Sequence, residues 1–133
     1  MIEGINKLRE LRASEVNSKA IYEIISNYQK VEDIPRGATK CASFEQLFFP
    51  PFRRLLEKDR EIKSNVLEKI AINSKVSQED VKKYLYDCSD TYIPAIIKQI
   101  TNLREDEMEN LRDGTQQVIL NELRKYCGVE YGN

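Results

Sequence analysis

The residues best suited to chemistry are cations. Arg53, Arg54, Lys58, Arg60, Lys63 and Lys69 fall within seventeen positions. Such groups hold phosphate oxygens by charge-assisted hydrogen bonds, arginine as a planar fork and lysine as a point charge. Leu56, Ile62, Val66 and Ile70 recur among them at helical spacing, which leaves most of the cations on the solvent side. Glu57, Asp59, Glu61 and Glu68 dilute the charge, so the same run also reads as an ordinary solvated face. Other chemistries have fewer candidates. The chain has no histidine, so acid–base work would rest on Asp, Glu, Lys, Cys or Tyr, and no spacing singles out a pair. Its five glycines are scattered and form no phosphate loop. Cys41, Cys88 and Cys127 lie far apart without a CxxC pair, and read as free core thiols of a reducing compartment rather than a zinc or iron–sulfur set. No catalytic residue, metal or cofactor is expected.

The elements that position these cations centre on Phe48 to Leu85. Pro50-Pro51 forces extended backbone ahead of each ring, and Pro51 suits the first position of a helix that turns Phe52, Leu55 and Leu56 inward. Ile62, Val66 and Ile70, spaced by four, predict a second helix flanked by Leu67 and Ala71. After a break at Asn73-Ser74-Lys75, Ser77 fits the cap of a third helix. Val76 and Val81 have the spacing of a hydrophobic staple, and Tyr84, Leu85 and Cys88 continue the inner face.

Upstream, Ile5, Leu8 and Leu11 sit in an N-terminal stretch, residues 1–13, that docks or frays. Ser14 caps a helix carrying Val16, Ala20, Ile24 and Tyr28, with Ile21 and Ile25 beside them; turn residues follow from Val31, and Ser43 with Gln46 has capping-box spacing. Downstream, Tyr92 to Leu103 predicts a helix with Pro94 in its first turn and Ile93, Ile96, Ile97, Ile100 and Leu103 facing inward. Arg104 to Glu109 reads as an acidic helix start, Gly114 as an interruption, and Val118, Ile119, Leu123 and Tyr126 as the inner line of a last helix stopped by Gly128. No alternating strand pattern persists. The expectation is an all-α fold of about six helices forming one domain over residues 1–133.

Composition sets outer bounds. Apolar residues make up 41% and charged residues 32% of the 133, as in globular proteins. Twenty-one Lys and Arg nearly balance 22 Asp and Glu, so any basic site is a local patch. No apolar run approaches the ~20 residues that span a bilayer, and no signal peptide is seen. A cytoplasmic location without membrane contact is expected.

Ile70-Ala71, a short break, then Val76-Ser77 and Val81 to Leu85 also resemble a helix-turn-helix, whose second helix would enter the major groove of DNA. Glu79 and Asp80 would face phosphates there, Lys82 and Lys83 follow, and Lys75 stands where such turns often carry glycine. Two packed helices without any DNA role give the same pattern.

A second resemblance covers roughly Phe48 to Ile100. The order Phe49-Pro50-Pro51-Phe52-Arg53-Arg54-Leu55-Leu56, a charged linker, Ile62 to Ile72, then Val76-Ser77-Gln78-Glu79-Asp80-Val81 resembles the C-terminal domain of the primase large subunit of archaea and eukaryotes. Phe52 stands where that family has a cluster-ligating cysteine, and three cysteines cannot supply four thiolates. The departure points to the cluster-free form, the small third subunit of some archaeal primases. The resemblance implies a non-catalytic accessory subunit of a heterotrimeric primase that binds the initiating nucleoside triphosphate and assists RNA primer synthesis in DNA replication. Its partners would be the catalytic and large subunits and a single-stranded DNA template. It carries the triphosphate-contacting positions onto Arg60, Lys63 and Lys69, the basic residue after the prolines onto Arg54, and the downstream tyrosine segment onto Tyr92, with Lys98 beyond it. The alternatives are a helix-turn-helix transcription regulator and a helical adaptor that binds only protein.

Overall fold

The computed structural model describes residues 2–11, 15–34, 55–88 and 93–129, apart from the side chains of residues 2 and 15–17. Helices α1 (Ile2–Glu10) and α2 (Glu15–Asn27) lead to a 3-10 turn at Val31–Asp33. A small hairpin, β1 (Glu57–Lys58) with β2 (Glu61–Ile62), precedes α3 (Ser64–Ser74), α4 (Gln78–Asp87), α5 (Pro94–Thr101) and α6 (Glu105–Cys127). The fold is all-α, as the sequence led one to expect, with these six helices among the described residues.

Helix α6 is the axis. α3 packs most extensively on it, and α1, α2, α5 and the 3-10 turn also touch it, while α4 packs on α3 and α5. The core joins Leu8, Ile21, Ile25, Leu56, Ile70, Leu85, Ile97, Leu111 and Leu120, all inaccessible to solvent or nearly so. Each such side chain contributes about 1.5–3 kcal/mol by leaving water. Burial of Leu8 and Leu11 makes α1 part of this core.

Local signals explain most boundaries. Ser77 Oγ accepts the Asp80 N–H at 3.2 Å and caps α4, and Val76 and Val81 are both buried beside it. Pro94 opens α5. At the head of α6, the Arg104 N–H donates to Glu107 at 3.1 Å, and the Arg104 guanidinium meets Glu107 and Asp106 at 3.1 and 3.4 Å. Gly128 ends α6 in the left-handed conformation (φ 69°), and the Val129 N–H returns to the Arg124 carbonyl at 2.9 Å. Gln117 of α6 ties down the 3-10 turn: its Oε1 accepts the Val31 N–H at 2.8 Å and its Nε2 donates to the Gln29 carbonyl at 2.9 Å.

Several expectations are corrected. Gly114 does not interrupt a helix; α6 runs through it for 23 residues. Ile62 belongs to β2, and α3 begins two residues later at Ser64, although Ile62 is buried in line with Val66 and Ile70. Ahead of the hairpin Leu56 is buried as expected and Leu55 half-buried, while the start of their helix at Pro51 lies outside the described residues. Ile97 on α5 and Leu103 just after it are buried, but Ile93 before the helix and Ile96 in it are 41% and 38% exposed. Pro51, Phe52, Ser43, Phe44 and Cys41 lie outside the described residues.

Candidate functional site

Two regions bear on the cations. The first is the hairpin, where Glu57 pairs with Ile62 and Lys58 with Glu61. Asp59 and Arg60 make the turn, both with positive φ (55° and 69°). That combination matches the twist of a two-residue hairpin turn but is unusual for residues with a Cβ. The hairpin is held to the body by the Ile62 N–H, which donates to Tyr86 Oη of α4 at 2.7 Å, and by the buried Ile62 side chain. Lys63 follows directly. Its N–H donates to the Leu56 carbonyl at 2.9 Å and its ammonium to the Leu55 carbonyl at 3.0 Å. Arg60 and Lys63 therefore do not share a helical face: Arg60 is exposed at the hairpin tip, and the Lys63 ammonium braces the chain before β1.

The second region is a groove of about 490 Å³ between α3 and the end of α6, within the range of small-ligand sites. Lys69, Ile72 and Asn73 line it from α3, at i, i+3 and i+4. Val118, Asn121, Glu122 and Lys125 line it from α6 at i, i+3, i+4 and i+7, with Arg124 and Val129 completing the wall. Val118 is buried at its base, whereas Ile72 is 68% exposed, the most exposed large apolar residue among those described. Glu122 lies between the two lysines, 3.8 Å from Lys69 Nζ and 3.9 Å from Lys125 Nζ. The groove thus combines three cations, one carboxylate, two carboxamides and an apolar wall. It can take an anion with an apolar or aromatic body; it presents no nucleophile–base pair.

Of the candidate site residues singled out by sequence, Lys69 alone lines this groove among those described. Lys98 is exposed on α5. Arg54 and Tyr92 lie outside the described residues. Sequence reading missed Lys125, Arg124, Asn73 and Asn121. The available signal was the i, i+3, i+4, i+7 stripe on α6, which mixes polar residues with one valine and so resembles solvated surface.

Helices α3 and α4 are joined by Lys75-Val76-Ser77, with Lys75 in the left-handed conformation (φ 57°, ψ 39°) that glycine usually supplies. The exposed side of α4 carries Glu79 and Lys82, and Lys83 pairs with Glu79 at 3.7 Å.

No family model, curated protein or solved structure matches the chain. The likeness to primase therefore rests on the sequence motifs alone. Among the described residues, no group of three or more Cys, Asp and Glu side chains is placed to hold a metal ion, and no helix is long and apolar enough to cross a membrane. Cys88 is buried and Cys127 half-buried, its thiol donating to the Gly4 carbonyl at 3.5 Å. Burial raises the pKa of both: for Cys127 to about 11 despite nearby Lys7, and for Cys88 with added repulsion from Asp87.

Proposed function

We propose that this domain is a non-catalytic, nucleotide-holding subunit of a DNA primase, acting in the cytoplasm with a catalytic subunit, a large subunit and a single-stranded template. The observation that carries the ligand class is the convergence of Lys69 and Lys125, from two different helices, on one groove of about 490 Å³. The triphosphate would lie along Lys69, Lys125 and Arg124. The base would rest against Ile72 and Val118, within reach of the Asn73 and Asn121 amides. Presenting that nucleotide beside the one in the catalytic subunit lowers the entropic barrier to the first phosphodiester bond. The motif order supports the primase context, while the cations shift from Arg60 and Lys63 to Lys69 and its α6 neighbours.

The test is calorimetric titration with ATP, followed by primer synthesis in the assembled complex. Lys69→Ala and Lys125→Ala should each weaken ATP binding at least tenfold, since a charge-assisted bond contributes about 1.5–3 kcal/mol. They should depress dinucleotide formation more than extension of a ready-made primer. Normal initiation in the double variant would refute the reading. The three-residue turn with left-handed Lys75 favours a second reading, a DNA-binding regulator. Tight, salt-dependent binding to duplex DNA, unaffected by Lys69→Ala, would favour it.

A further inference from the structure

The groove already contains an anion of its own. Glu122 is 18% exposed at its side chain, whereas the two lysines it meets, Lys69 and Lys125, are 47% and 68% exposed. One carboxylate thus sits inward of two ammonium groups delivered by α3 and α6. Both separations, 3.8 and 3.9 Å, exceed the 2.7–2.9 Å of a charge-assisted hydrogen bond. The lysines are held near Glu122 by charge without being locked to it.

We propose that Glu122 is an internal stand-in for the ligand's phosphates and sets a charge threshold for entry to the groove. This rests on the nucleotide reading above. The carboxylate neutralises one of the two lysine charges. An incoming anion must therefore displace it from the ammonium groups or accept its repulsion. A triphosphate carries several negative charges on one flexible chain and can engage both lysines as Glu122 turns away. Orthophosphate or a nucleoside monophosphate has too little charge to prevail against a carboxylate tethered beside the same cations. Glu122 is thus a specificity-determining residue that favours polyphosphates. In the free protein it also lessens self-repulsion between the lysines.

Glu122→Gln keeps the shape and removes the charge, so it separates this role from simple packing. Titration of the native protein and this variant with inorganic tripolyphosphate and orthophosphate gives the readout, with circular dichroism confirming the fold. The variant should bind tripolyphosphate about tenfold tighter, and orthophosphate binding should become measurable. Glu122→Asp, which retains the charge, should behave more like the native protein. If the native protein binds tripolyphosphate but Glu122→Gln binds it equally or more weakly, Glu122 organises the lysines instead of competing with the ligand, and the inference fails while the nucleotide reading stands. Binding of tripolyphosphate by Glu122→Gln alone would mean that Glu122 shuts out polyphosphates as well, and it overturns the inference together with the nucleotide reading of the native groove. Absence of binding by both proteins overturns the inference and the nucleotide reading together. A measurement on the native protein needs no variant: the carboxyl carbon resonance of Glu122 should move as tripolyphosphate saturates the groove. An unmoved resonance at saturation also overturns the proposal.

Discussion

Gly114 of α6 packs directly against Ser74 of α3. A Cβ built on Gly114 would fall on Ser74 Oγ and lie 3.2 Å from Ser74 Cβ and 3.4 Å from its backbone nitrogen. Ser74 is itself buried, and its hydroxyl has no hydrogen-bond partner. The glycine in mid-helix costs about 1 kcal/mol relative to alanine in helix propensity. Close packing of α3 on α6 offsets that cost.

Gly114→Ala should therefore destabilise the protein despite improving helix propensity. Rotating the hydroxyl away still leaves Ser74 Cβ at a tight 3.2 Å, so a net loss of about 1–3 kcal/mol is expected in urea melts. Ser74→Ala removes an unsatisfied buried hydroxyl and should be neutral or stabilising alone. Combined with Gly114→Ala, it should recover part of the loss. An unchanged midpoint for Gly114→Ala would mean the helices are farther apart than described.

The hairpin turn supplies a second expectation. Asp59 and Arg60 both hold positive φ with a Cβ present, at a cost of about 1–2 kcal/mol each. Arg60→Gly removes that penalty at the second position, where Asn-Gly and Asp-Gly turns place glycine. The melting temperature should rise by about 3 °C, and ATP binding should be unchanged because Arg60 lies outside the groove. A lower melting temperature would argue that the guanidinium makes a stabilising contact at the tip.

These two places also mark where the sequence was hard to read. Amphipathic spacing identified the inner faces of α3 and α4, where Val66, Ile70, Val81, Tyr84 and Leu85 are all buried, and cap chemistry located Ser77. Two-residue strands carry no period, and Asp-Arg is a poor turn signal, so Glu57 to Ile62 passed as the approach to a helix. Gly114 looked like an interruption because propensity is local, whereas the close approach that calls for a glycine comes from Ser74, forty residues earlier. The groove was harder still. Its two walls are far apart in sequence, and their lining is mostly polar, so only Lys69 was marked in advance.

The cysteines give a pH test. Burial raises Cys127 from an ordinary 9.0 to about 11, and raises Cys88 by burial and the Asp87 charge. The folded state thus keeps these protons to higher pH than the unfolded chain. Their contribution to stability is complete below pH 9.0 and, for Cys127, is lost as pH rises through about 11. Melting temperature should fall over that window, and less steeply in Cys127→Ala. At pH 8, peptide mass spectrometry should find both thiols alkylated far more slowly by iodoacetamide in native protein than in urea. Equal rates in the two conditions would contradict the burial described.

The final prediction separates the cations that sequence alone had grouped. Lys63 donates its ammonium to the Leu55 carbonyl and is half-buried, so Lys63→Ala should cost about 0.5–1.5 kcal/mol of stability and leave ATP affinity unchanged. Arg60→Ala should alter neither stability nor affinity appreciably, since the side chain is exposed at a turn that alanine leaves equally strained. Lys69→Ala should show the opposite pattern to Lys63→Ala. Its side chain is about half exposed and its ammonium stands 3.8 Å from Glu122, beyond the length of a charge-assisted hydrogen bond, so it contributes little to folding, yet its loss removes one of the two lysines that would hold phosphate. Measured side by side by thermal melts and ATP titration, the three variants locate the ligand. Tenfold weaker binding in Lys69→Ala alone places the triphosphate in the α3–α6 groove. Tenfold weaker binding in Arg60→Ala and Lys63→Ala, with Lys69→Ala normal, would move it to the hairpin, where the primase resemblance first put it. In that case Glu122 would have no phosphate to imitate.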